Sequence, residues 1–173
     1  LERKMIRLHV IANSDTAEDQ ALKLQVRDAV LVQATEILEN AADMEAAQRT
    51  LQQVLPELEA TAAEVVKEKG CAYRVSARLE RAEFPEKVYD GFALPAGEYL
   101  ALRLVIGEGA GQNWWCVLFP SLCYTREGLK FTDTSKKKLQ TSLSKEDYEA
   151  LLRDDSTSVE IRFFLFDFFR KHF

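Results

Sequence analysis

From Met5 to Ala12 apolar residues alternate at Ile6, Leu8 and Val10, which predicts a strand with Arg7 and His9 on its opposite face. Asn13-Ser14-Asp15 reads as a turn. A helix is expected from Ala17 to about Asn40, where Leu22, Val26, Val30, Ala34 and Leu38 recur every four residues. Ala29 and Ile37 widen this stripe, and Lys23 and Arg27 fall outside it. Asp15 and Glu18 have the spacing of a capping box, with Ser14 and Thr16 as other N-cap candidates. A second helical set follows at Met44, Ala47, Leu51, Leu55, Leu58, Ala62 and Val65. Pro56 interrupts it. An interior proline costs roughly 3 kcal/mol, so a kink or a restart at Pro56 is expected. Gly70 supplies a C-cap.

Cys71 to Leu79 alternates like a strand at Tyr73, Val75, Ala77 and Leu79, and Cys71 is read as a small buried residue. Ala82 to Gly97 carries Pro85, Gly91, Pro95 and Gly97 and reads as loop. Glu98 to Ile106 is the clearest strand, with Leu100, Leu102, Leu104 and Ile106 on one face. It runs into Gly107 to Cys123, which concentrates glycines, both tryptophans and two of the three cysteines. Thr125 to Ser144 is polar and weakly patterned. Ser144 and Asp147 open a short helix over Tyr148, Leu151 and Leu152. Val159, Ile161 and Phe163 alternate, after which Phe164, Leu165, Phe168 and Phe169 change to helical spacing.

This order predicts an α+β fold, a few-stranded, mostly antiparallel sheet with long helices packed on one face. A split βαβ arrangement is one candidate topology. With 173 residues, no internal repeat and no dividing linker, one domain is expected over 1–173.

Composition narrows the function. A net charge of −5 without a long basic run argues against nucleic-acid binding. Lys136-Lys137-Lys138 reads as a solvated loop, with peripheral contact to an anionic membrane surface or a partner as the alternative. No apolar run reaches the roughly 18 residues needed to cross a bilayer. The chain begins at Leu1, not Met, and an upstream targeting or anchor segment is expected to be missing from it.

Three cysteines allow one disulfide and one thiol, or three thiols. Cys116 and Cys123 would stand ~23 Å apart if extended. A bridge needs less than about 7 Å between Cα atoms, so the chain would have to fold back near Pro120-Ser121. Spacing alone leaves that open.

The sharpest enzymatic reading is a cysteine hydrolase with Cys116 as nucleophile, for which only His9 and His172 could be the base. No Cys-x-x-Cys or His-x-x-x-His spacing points to a metal, and no cofactor is expected. Gly107-Glu108-Gly109-Ala110-Gly111 lacks the Lys-Ser/Thr of a phosphate loop. The pair Trp114-Trp115 is either core or, at one position, an exposed anchor. On a strand the two rings would point to opposite faces.

Two blocks carry a resemblance. Ile6 to Val30, IRLHVIANSDTAEDQALKLQVRDAV, and Leu94 to Cys123, LPAGEYLALRLVIGEGAGQNWWCVLFPSLC, are similar to the stage II sporulation protein R family of endospore-forming bacteria. The sequence departs from the family pattern at Gln112, where histidine is expected, and at Ser121, where a second proline is expected.

The resemblance implies a signalling protein and not an enzyme. Such proteins are made in the forespore and secreted into the intermembrane space. There they activate a membrane-bound aspartyl protease that processes the precursor of a mother-cell sigma factor. On that reading Trp114 or Trp115 anchors the partner and Asn113 aligns the backbone. Asn13, Ser14 and Asp15 form a second patch if the first strand ends beside the glycine loop. Export also favours a Cys116–Cys123 bridge.

Overall fold

The computed structural model describes residues 2–89, 92–120, 122 and 133–152. The elements run β1 (Ile6–Ile11), α1 (Ala17–Leu38), α2 (Met44–Glu68), β2 (Val75–Phe84), β3 (Lys87–Tyr89), β4 (Phe92–Leu94), β5 (Gly97–Ile106), β6 (Asn113–Phe119), α3 (Asp133–Ser142) and α4 (Lys145–Leu151). Cys123, His172 and the alternating segment from Val159 lie outside the described residues.

The main sheet has the order β2-β5-β1-β6. The β2–β5 and β1–β6 pairings are antiparallel and β1–β5 is parallel. The α+β expectation of a mostly antiparallel sheet with long helices on one face therefore holds. The topology is not a split βαβ unit. Two helices, not one, connect β1 to β2, so the chain reverses once more. β2 then runs opposite to β1, with β5 between them.

Every residue of β1 is buried, as a strand covered on both faces must be. Its odd and even positions feed two clusters. Ile6, Leu8 and Val10 join Leu102 and Leu104 of β5 beneath α1 and α2. On the other face Tyr99, Ala101 and Val117 meet Phe84, the β3–β4 hairpin residues Phe92 and Leu94, Leu139 of α3, Leu143 just after it and Leu151 of α4. The hairpin and α3 both fall in stretches whose prolines, glycines and polar composition read as loop.

α1 starts at Thr16, whose hydroxyl accepts from the Asp19 amide, so Thr16 is the N-cap among the candidates. Asp43 caps α2 in the same way. α2 runs through Pro56 as one helix, and no restart occurs there. The stripe stays in phase across the proline, with Leu51 before it and Leu58, Ala62 and Val66 after it, all buried. Burying such side chains is worth ~1.5–3 kcal/mol each, which outweighs the proline's cost. Cys71 is half-buried in the irregular chain before β2, not in the core, because β2 begins only at Val75. Lys137 and Lys138 are exposed on α3, a helix and not a loop. Among the described residues no helix is long and apolar enough to cross a membrane.

Leu104 is fully buried at the centre of the sheet. Leu104→Ala should therefore cost ~2–5 kcal/mol by transfer and cavity formation. A urea-denaturation midpoint near the wild-type value would contradict this packing.

Candidate functional site

The expected patch residues do come together. β1 ends beside the glycine loop, and the turn after it clamps that loop. The amides of Ala110 and Gly111 donate to the carbonyls of Asn13 and Ala12 at 3.1 and 3.0 Å. Asn13 Oδ1 accepts from the Glu108 amide at 2.9 Å, and Asp15 Oδ1 accepts from the Gln112 amide at 2.7 Å. Gly107 has a φ of +56°, a conformation that favours glycine. A Cβ on Gly111 would collide with the Ser14 carbonyl oxygen, so the loop's glycines permit the close approach.

Beneath the turn lies Asp19, 5% exposed. Its Oδ2 accepts from Ser14 Oγ at 2.6 Å and from Asn13 Nδ2 at 2.8 Å. The hydrogen bonds from Ser14 and then Asn13 hold its carboxyl below the ordinary carboxylate value, and the Tyr73 hydroxyl adds to the effect. Lys23, also 5% exposed, closes the other side, donating to Gln20 Oε1 at 2.6 Å and to the Gln112 carbonyl at 3.0 Å. Lys23 and Arg27 fall outside the apolar stripe of α1. The structure uses them to hold the entry to β6.

β6 carries the tryptophans to opposite faces, both half-buried, so neither a fully buried pair nor a freely exposed anchor results. Trp114 packs on the helix-side cluster with the Arg27 guanidinium 4.1 Å from its ring centroid, and its Nε1 is buried without a hydrogen-bond partner among the described residues. Trp115 stacks on His9 with centroids 3.9 Å apart and planes 14° apart. Phe84 meets both rings edge-on, at 4.8 Å from Trp115 and 5.8 Å from His9. Asn113 Oδ1 is 3.0 Å from His9 Nε2, so the neutral ring protonated at Nε2 donates to it. Arg7, fully buried, donates from Nε to the Cys116 carbonyl at 2.9 Å and lies 4.4 Å from the Phe84 centroid.

The geometry separates Cys116 from His9. Cys116 is 1% exposed, pairs with Leu8 and belongs to the helix-side cluster, whereas His9 faces the other side of the sheet with Trp115. Among the described residues no histidine stands beside this sulphur, and no group of three or more His, Cys, Asp or Glu side chains is arranged to hold a metal ion. Sequence reasoning missed Asp19, Tyr73 and Arg27 as supports of the site. Only the Asp19 spacing from the turn hinted at its role.

The fold and site describe a mixed-sheet α+β scaffold that carries a braced aromatic strand, last in the order of the described sheet. Residues 2–128 match the family described as stage II sporulation protein R, and the chain belongs to that family. It is 38% identical over 157 residues to the stage II sporulation protein R of Bacillus subtilis (strain 168), covering 90% of this chain and 68% of that protein. No solved structure matches the chain. Family membership gives it a role in sporulation.

Burial holds the His9 pKa below its ordinary value of 6.5, opposed by the Asn113 hydrogen bond and reinforced by Arg103 and Arg7. Between the lowered folded value and 6.5 the unfolded chain binds the extra proton. Stability is therefore complete above that window and falls as pH drops through it. His9→Gln should flatten this part of a plot of urea midpoint against pH. The later loss, below the ordinary carboxylate range as Asp19 and Asp147 protonate, should remain. An unchanged slope in His9→Gln would contradict the assignment.

Proposed function

We propose that this chain is a signalling protein secreted from the forespore into the intermembrane space, where it activates a membrane-bound aspartyl protease that processes a mother-cell sigma-factor precursor. The observation that carries the reading is β6. Its adjacent tryptophans are braced on opposite faces, and among the described residues no histidine stands beside Cys116, which lies between the sheet and the helices. That geometry suits recognition and not bond cleavage. Membership of the stage II sporulation protein R family supports the biological setting.

An activator without chemistry of its own works by differential affinity. It must bind the protease's active state more tightly than its resting state, and the population then shifts. Half-buried aromatic rings held by stacking lose little side-chain entropy on docking, which makes Trp114 and Trp115 suitable anchors. Asn13 and Asp15 clamp the loop and set its height, as their hydrogen bonds to it support, and Ser14 contributes by bonding Asp19 beneath the turn. A Cys116–Cys123 bridge also fits an exported protein. In its support, Cys71 is a free cysteine, which leaves Cys123 as the cysteine available to Cys116.

The test is co-production of the chain with the protease and its precursor substrate, with processing followed by the substrate's change in size. Truncation of an anchor costs ~2–4 kcal/mol of binding, so Trp114→Ala or Trp115→Ala should abolish processing while circular dichroism shows a folded chain. Two folded, fully active variants would sink the proposal. Cys116→Ser and Cys123→Ser should lower stability alike, by ~2–3 kcal/mol. Loss of function in folded Cys116→Ser alone would instead support a cysteine hydrolase.

A further inference from the structure

Strand register assembles a row of side chains that lies apart from the glycine-loop clamp. Arg78 of β2 is opposite Arg103 of β5, Arg103 is opposite His9 of β1, and His9 is opposite Trp115 of β6. Register partners share a face, so all four stand on the side away from α1 and α2. Lys87 joins them from the hairpin, its Nζ 5.8 Å from the Trp115 centroid. The chain as a whole carries a net charge of −5, yet Arg78, Arg103 and Lys87 gather on this half of the face, where Glu80 pairs with Arg103.

Like charges directly opposite each other across strands are destabilising. Glu80 relieves this only in part. It binds Arg103 NH1 at 2.9 Å, and the two side chains remain 33% and 38% exposed. Arg103 Nε is buried without a hydrogen-bond partner among the described residues. Arg78 is exposed and makes no ion pair among them. The apolar cover of this face, from the hairpin and from α3 and α4, lies over Tyr99, Ala101 and Val117 and leaves the charged row at its margin.

We infer that Arg78, Arg103 and Trp115, with Lys87 and with His9 buried among them as a support, form a docking surface for an acidic, extended segment of a protein partner. Cations in excess of the paired carboxylate Glu80 call for further carboxylates, and the Trp115 face supplies an apolar contact beside them. Four strands spaced ~4.8 Å apart make a row ~14 Å long, the reach of about four extended residues. A lipid surface is the poorer fit, because it takes projecting cations and rings that insert, whereas Arg103 and Trp115 are recessed. The inference rests on the protease-activator reading only for who the partner is.

A short poly-glutamate peptide tests the surface directly, by calorimetry and tryptophan fluorescence at low salt, beside vesicles of phosphatidylglycerol and phosphatidylcholine. The peptide should bind the wild-type chain, and Arg78→Glu and Lys87→Glu should each weaken it roughly tenfold or more. Arg49→Glu on the far helix, an exposed control paired with Glu45, should leave binding unchanged. Matching thermal midpoints keep the comparison among folded proteins. Equal loss in Arg49→Glu, no peptide binding, or binding to vesicles alone would overturn the inference. Processing assays on the same variants separate the two proposals. Peptide binding lost in Arg78→Glu with processing intact leaves the surface standing and removes it from protease activation. Processing that depends on Trp114 or Trp115 without any peptide binding does the reverse.

Discussion

The buried carboxylate of Asp19 is the constraint on which the presented strand depends. A carboxylate removed from water must collect donors or lose its charge. Asp19 collects Ser14 Oγ and Asn13 Nδ2, and both belong to the turn that leaves β1. Asn13 is then fixed in rotation, so its Oδ1 meets the Glu108 amide. Asp15 is placed for the Gln112 amide in the same way. The charge at the first turn of α1 thus sets where the glycine loop lies and at what height β6 begins. It also sits where the helix dipole favours an anion.

Downstream of that clamp, β6 is held from both faces by different physics. On the helix side an arginine lies over Trp114, and the nearest partner of the arginine is Asp28, 2.6 Å away. On the other side Trp115 stacks on a neutral histidine whose ring is turned by Asn113, the residue that opens the same strand. Arg7 joins the two sides, since it reaches the Cys116 carbonyl while lying among the rings of Phe84 and Tyr99. A change in the β6 backbone is therefore felt on both faces at once.

What was legible in the sequence follows from how local its cause is. β5 and α1 were legible because their apolar periods are long and each obeys one face. The Ser144 cap and α4 were legible because a capping residue acts over three positions. β3 and β4 were not, since three-residue strands between prolines carry too little pattern. α3 was missed because its polar composition hides the buried Leu139 and Leu143. Pro56 misled for another reason. Its penalty is local, while the packing that overrides it is spread over residues on both sides. Within the candidate site, Trp114 and Trp115 stood out by composition. Their supports did not, because Arg27, Asp19 and His9 each looked like the polar side of their own element.

The charged row shows that limit most clearly. Arg78, Arg103 and His9 are separated by tens of positions along the chain, and each has an ordinary explanation as the polar half of an alternating strand. Only the order β2-β5-β1-β6 sets them shoulder to shoulder, and only the antiparallel return of β6 puts Trp115 at the end. A sheet built for packing alone would not place two guanidinium groups opposite each other, because each cation raises the cost of the other. Glu80 offsets one of them. On the proposed reading the remainder is met by the partner. Adjacent tryptophans then serve two faces of a single strand, with Trp115 beside the cations and Trp114 braced by Arg27 behind them. Recognition would be read through the pose of β6 as a whole and not through either ring alone.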